Sequence, residues 1–196
     1  MPHDALPSEI FLHVRVVIGI VLGLAVTRCL NGVAHFVQHP GRYKLYPVHL
    51  GWVAWVMLML VHFWWWQFWL RGIEQWTFAL YMFLMTYATL LFLLCALLFP
   101  DNIAEYSGYE EFFLSRRRWF FGILGTTFVF DLIDTLLKGR QHFESFGVEY
   151  FVRTPACLIL CVVAMITTNR RFHALFVTGS LFYEVSWILR QFRTLV

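Results

Sequence analysis

Six apolar runs, separated by short stretches that collect charges, glycines and prolines, organise this chain. They cover about residues 10–30, 48–70, 76–99, 119–137, 147–167 and 172–189, and the first can continue as helix to Val37. Val48–Leu70 holds 23 consecutive residues without a formal charge, enough for a helix to cross a hydrocarbon core of about 30 Å. The third run stops at Pro100, where a helix cannot readily continue. The first, fourth and fifth carry charges inside, so those spans are shorter, tilted or partly interfacial. Between the third and fourth runs, about residues 103–116 mix Tyr109, Phe112 and Phe113 with acids and lead to Arg116–Arg118, the pattern of a short interfacial helix. The pattern predicts an all-α, polytopic transmembrane bundle of about six spans, a single domain over residues 1–196.

Composition strengthens this picture. At 60% hydrophobic and 14% charged residues, the chain falls far from the soluble average of about a quarter charged, and the lipid bilayer becomes its first partner. A net charge of +3 spread over short basic clusters excludes a nucleic-acid stripe. Cys29, Cys95, Cys157 and Cys161 all fall in apolar runs and read as small apolar fillers. No basic leader or cleavage site suggests a signal peptide.

Positive charge sets the expected orientation. With the N-terminus outside, Arg28, Arg42, Lys44, Arg116, Arg117, Arg118, Arg170 and Arg171 lie inside, eight in all. Arg71, Lys138, Arg140, Arg190 and Arg193 lie outside, five in all. The localisation expected is a bacterial inner membrane. An offset of 103 residues aligns Arg15 with Arg118, Gly19 with Gly122, Ile20 with Ile123, Val26 with Val129 and Gln38 with Gln141, a weak echo of a 3+3 inverted repeat.

The polar residues inside the spans carry the candidate chemistry, because an ionised side chain facing lipid costs several kcal/mol. Asp131 and Asp134 lie roughly 18–23 Å along the fourth helix from Trp119, on one face with Phe120, Leu124, Thr127 and Lys138. They either bind an ion or proton, or Asp134 simply pairs with Lys138 four residues on. Glu184 lies at a similar depth on a face with His173, Val177 and Ser180. Glu149 and Arg153, four residues apart, are expected to satisfy each other. Arg28 forms a stripe with Asn31 and His35, and Arg15 lies near the start of the first span. These groups either line one outward-facing polar cavity between the first, fourth, fifth and sixth helices, or form separate interfacial pairs. Gly19-x-x-x-Gly23 suggests where a neighbouring helix packs closely.

His49 and His62 raise the question of a b-type haem, which takes two axial histidines. Their 13-residue spacing turns them about 140° apart on the helix, so they cannot share one partner helix. No cofactor and no metal site is expected, and His62 reads as a histidine hydrogen-bonded inside the bundle. Trp64, Trp65, Trp66 and Trp69 form an aromatic belt, and at least one of them meets lipid or another copy of the chain. No nucleophile elbow, P-loop, dinucleotide or zincin motif is present.

The leading functional expectation is a small-ion or small-solute channel or secondary transporter. Its binding groups would be Asp131, Asp134 and Glu184, with Arg28, Arg153 or Arg15 as counter-charges. The alternative is a non-catalytic membrane scaffold or accessory subunit, and a haem protein comes third.

Overall fold

In the computed structural model the chain is a bundle of six long helices, and no strand occurs among the described residues. The structure describes residues 7–39, 41–42, 44–73, 75–139, 143–144 and 146–191. Arg140, Gln141 and Arg193, used above for charge and repeat, lie outside them. The helices are α1 (Pro7–Gln38), α2 (Pro47–Trp66), α3 (Phe78–Leu98), α4 (Tyr109–Leu137), α5 (Gly147–Ile166) and α6 (Arg170–Gln191). A 3₁₀ segment, Gln67–Gly72, prolongs α2, and a second, Ile103–Glu105, lies in the loop before α4. All six helices are long and apolar enough to span a membrane. This is an integral membrane protein.

Local chemistry sets the ends. Pro47 opens α2 at a position whose N–H would have no intrahelical acceptor. The Thr77 hydroxyl accepts from the Leu80 N–H at 3.2 Å and caps α3. Asn169 Oδ1 accepts from the N–H groups of Arg171 and Phe172 at 2.9 and 3.4 Å, starting α6. Gly139, at φ 119°, follows the last turn of α4 in a conformation that a side chain would oppose. Residues 109–116, expected in an interfacial helix, are instead the first turns of the 29-residue α4. Tyr109, Phe112 and Phe113 are buried there because they pack inward onto His49, Phe36 and Tyr46.

α2 is the hub, touching α1, α3, α4 and α6, while α1 lies on α3 and α4 joins α3 to α5. Trp52 marks the centre: its ring lies 5.4 Å from Phe120, 5.4 Å from Phe121 and 5.2 Å from Phe176, each edge to face. Such pairs contribute about 0.5–1.5 kcal/mol each beyond area burial, which matters where lipid leaves no hydrophobic drive between helices. His49, fully buried, bonds through Nε2 to the Leu98 carbonyl at 2.5 Å and fastens α2 to the end of α3. α5 packs on α4 and α6 on α2, so α5 and α6 barely meet despite being consecutive.

The close helix approaches are not at the expected glycines. A Cβ on Gly19 or Gly23 would meet nothing within 4 Å, whereas one on Gly51 would lie 2.8 Å from Val177 Cγ2. The α2–α6 contact needs that hydrogen. We expect Gly51→Ala to destabilise the bundle by about 1–3 kcal/mol through overpacking, with Gly23→Ala neutral and the added Val177→Ala restoring much of the loss. Thermal unfolding in detergent checks this, and a Gly51→Ala protein as stable as the parent would refute the packing described.

Candidate functional site

Three helices bring charge to one depth. Asp131 lies six residues before the end of α4, Arg153 six after the start of α5 and Glu184 seven before the end of α6. By helical rise each is about 9–10 Å from the same end of the bundle. α2 adds His62 from its last turns. The faces that converge are the buried ones: Phe120, Leu124, Thr127 and Asp134 on α4, and His173, Val177 and Glu184 on α6.

Each acid has a partner on this inner surface. Glu184 Oε1 lies 2.7 Å from His62 Nδ1, with side-chain exposures of only 3% and 12%. Asp131 Oδ2 accepts from the Tyr150 hydroxyl at 2.9 Å, and Thr135 Oγ1 lies 3.0 Å from that hydroxyl. Lys138 Nζ donates to Asp134 Oδ2 at 2.5 Å and lies 5.4 Å from the Trp66 ring, a cation–π distance. Both members of that pair are essentially sealed from solvent, and Asp134 Oδ1 has no hydrogen-bond partner among the described residues.

Arg153 stands apart in its environment. Its guanidinium is surrounded by Phe128, Tyr150, Tyr183 and Trp187, whose ring centroids lie 5.6–6.0 Å away. Its approach to Asp131 is 3.6 Å, an ion pair but too long for a direct hydrogen bond. The expected partner, Glu149, is taken. Arg190 donates to both Glu149 oxygens at 2.7 and 2.6 Å, and the Tyr183 hydroxyl adds a bond at 3.1 Å. The i, i+4 pairing of Glu149 with Arg153 is therefore corrected: the acid joins α5 to α6, and the arginine turns inward.

Two cavities adjoin the cluster. A cleft of about 690 Å³ lies between α5 and α6, and Arg153, Glu184, Ser180 and Tyr183 contribute to its otherwise mostly apolar wall. A chamber of about 20 Å³ is lined by His62, Tyr87, Asp131, Tyr150 and Arg153 among others, roughly the room for a single water. Arg153 belongs to both linings. The Glu184–His62 bond runs from a residue of the cleft to a residue of the chamber.

Of the six residues predicted from sequence, Asp131, Arg153 and Glu184 meet around these cavities, with Asp134 alongside in its own pair. Arg28 and Arg15 do not join them. Arg28 bonds to the Phe99 carbonyl at 2.9 Å and to Asp101 at 2.5 Å, toward the opposite end of the bundle. Arg15 lies over the Phe68 ring at 4.2 Å. Arginine near a helix end has the reach to leave the polar interior for the interface. Sequence reasoning left out Tyr87, Thr135 and Tyr150; it read His62 as a histidine hydrogen-bonded inside the bundle, and the structure gives Glu184 as its partner. For Thr135 the available signal was its place four residues after Asp131 on the same helix, whereas Tyr150 reaches Asp131 from the next helix, which the sequence alone does not register.

Among the described residues no three His, Cys, Asp or Glu side chains gather as metal ligands. His49 and His62 serve separate contacts, at Leu98 and Glu184. No family model, curated protein or solved structure matches the chain.

The Asp134–Lys138 pair makes a direct prediction. Lys138→Met leaves a buried carboxylate unpaired, an uncompensated charge that costs about 3–5 kcal/mol. Replacing both, as Asp134→Leu with Lys138→Met, should recover most of that loss. Unfolding temperatures and monodispersity on size exclusion read the effect, and a single variant as stable as the parent would show that the pair is not sealed from water.

Proposed function

We propose that this protein moves protons across a bacterial inner membrane, either as the conducted ion of a channel or as the coupling ion of a secondary transporter for a small solute. The supporting observation is the 2.7 Å bond joining Glu184, on the wall of the cleft, to His62, on the wall of the chamber. A proton fits this site better than a metal cation does. Each carboxylate already has a hydrogen-bonding partner on one oxygen, and among the described residues no three His, Cys, Asp or Glu side chains gather as a ligand set. A proton needs no such space and can pass between carboxylate, imidazole, hydroxyl and one water. Asp131, Tyr150 and Thr135 form a second hydrogen-bonded run, and all three line the same chamber as His62. Ionisable residues at membrane depth commonly mark such relays.

The charge count of eight against five favours an orientation with the N-terminus outside, which would put the cluster in the outer half of the membrane. A second reading, a scaffold or accessory subunit, draws on the sealed Asp134–Lys138 pair and on Trp64, Trp65 and Trp69, each about half exposed. Those rings suit lipid or a second copy of the chain.

The two readings part in proteoliposomes containing a pH-sensitive dye and a potassium diffusion potential. Proton movement should exceed that of empty vesicles, and Glu184→Gln or His62→Phe should reduce the excess at least tenfold. Asp131→Asn should reduce it too. Flux equal to empty vesicles, or flux unaffected by Glu184→Gln, would remove the transport reading and leave the scaffold.

A further inference from the structure

We infer that the cleft between α5 and α6 is a binding site, entered from the bilayer, for a single-chain amphiphile with an acidic head received by Arg153. The site is built from two dissimilar parts. Its wall is largely apolar, and Val152, Leu160 and Leu175 on it are exposed at the outer surface of helices that span the membrane. Lipid is what those surfaces face, so a chain can slide in sideways. The volume of about 690 Å³ falls in the range of sites that hold one ligand of moderate size, which favours one alkyl chain over two.

The polar part decides the sign of the head. Three acidic or basic side chains line the cleft: Glu149, Glu184 and Arg153. Both acids are committed, Glu149 to Arg190 at 2.6 and 2.7 Å and Glu184 to His62 at 2.7 Å. Arg153 has five N–H donors in a planar fork, and the Asp131 oxygen at 3.6 Å is beyond direct bonding distance. The four aromatic rings lie 5.6–6.0 Å from the guanidinium carbon, and Arg153 forms part of the cleft wall. The fork therefore presents donors to the cleft, and a carboxylate or phosphate is the group whose paired oxygens fit it. An amine head would meet the same cation and be repelled, and an alcohol would supply one acceptor where the acid supplies two.

This goes beyond the transport reading and is tested without measuring flux. The purified full-length chain in nanodiscs is irradiated with palmitic acid carrying a mid-chain diazirine, and in parallel with the matching alcohol and amine, and the adducts are mapped by mass spectrometry. The acid should label α5 and α6 at least tenfold more than either analogue, and unlabelled palmitate should compete. Arg153→Gln should bring acid labelling down to the level of the alcohol. Should that variant not fold, Gly179→Leu decides. It lines the cleft, a Cβ there meets nothing within 4 Å, and leucine favours helix over glycine. It should abolish labelling by filling the cleft. Equal labelling by acid and alcohol, adducts spread over all six helices, or acid labelling unchanged in either folded variant would overturn the inference.

Discussion

Inside a bilayer, water cannot repair an unmet charge, and that constraint shapes the half of this bundle nearest the α4–α5 connection. The Arg153 guanidinium lies within it, and what surrounds it ties together three helices: Asp131 and Phe128 from α4, Tyr150 from α5 itself, Tyr183 and Trp187 from α6. The remaining charges are each bound locally. Asp134 has Lys138 one turn away, Glu184 has His62 across the α2–α6 contact, and Glu149 has Arg190 across the α5–α6 gap. Taken with its partners, the buried cluster of Asp131, Asp134, Glu184, Lys138, Arg153 and His62 balances when the imidazole is protonated and carries one negative charge when it is not. A single proton therefore changes the electrostatic state of the whole cluster.

The opposite end of the bundle is built on aromatic packing. His49, Phe36, Phe99, Tyr109 and Phe113 form one layer, and Trp52 with Phe120, Phe121 and Phe176 forms the next. These layers fix α2 against α4 and α6. Pro155 lies inside α5 and removes the N–H that would bond the Phe151 carbonyl, softening the helix that forms one wall of the cleft.

The spans were legible because hydrocarbon thickness is a hard length constraint, and a 23-residue uncharged run has few other uses. The shared buried face of Asp131 and Asp134 was legible too, since helical periodicity alone places Phe120, Leu124 and Thr127 beside them. Partner choice was not. Glu149 lies one turn from Arg153 in sequence, and the local pair is the natural expectation. The rotation of α5 instead puts the arginine among rings of α4 and α6 and leaves the acid to a residue 41 positions away. Gly19 and Gly23 misled for a similar reason. A small-residue motif states that close approach is allowed, while the partner surface decides whether it happens, and here Val177 of α6 meets Gly51. His62 carried no charge pattern to link it with Glu184, 122 residues distant.

The cleft owes its shape to the way consecutive helices are joined at both ends while their middles pack elsewhere. At one end the link Thr167–Asn169 is short and turns tightly through the Asn169 cap. At the other end Glu149 and Arg190 form a two-bond clamp, with Tyr183 as a third contact. Between these ties α5 follows α4 and α6 follows α2, so a gap opens toward lipid and is bounded above and below. Arg153 and Glu184 lie on its inner wall near the clamp, and Glu184 is bonded to His62 behind it. An acidic head at Arg153 would bring negative charge beside Glu184, whose bond to His62 leads from the wall of the cleft to the wall of the chamber, so occupation of the cleft and the state of that bond are linked by proximity.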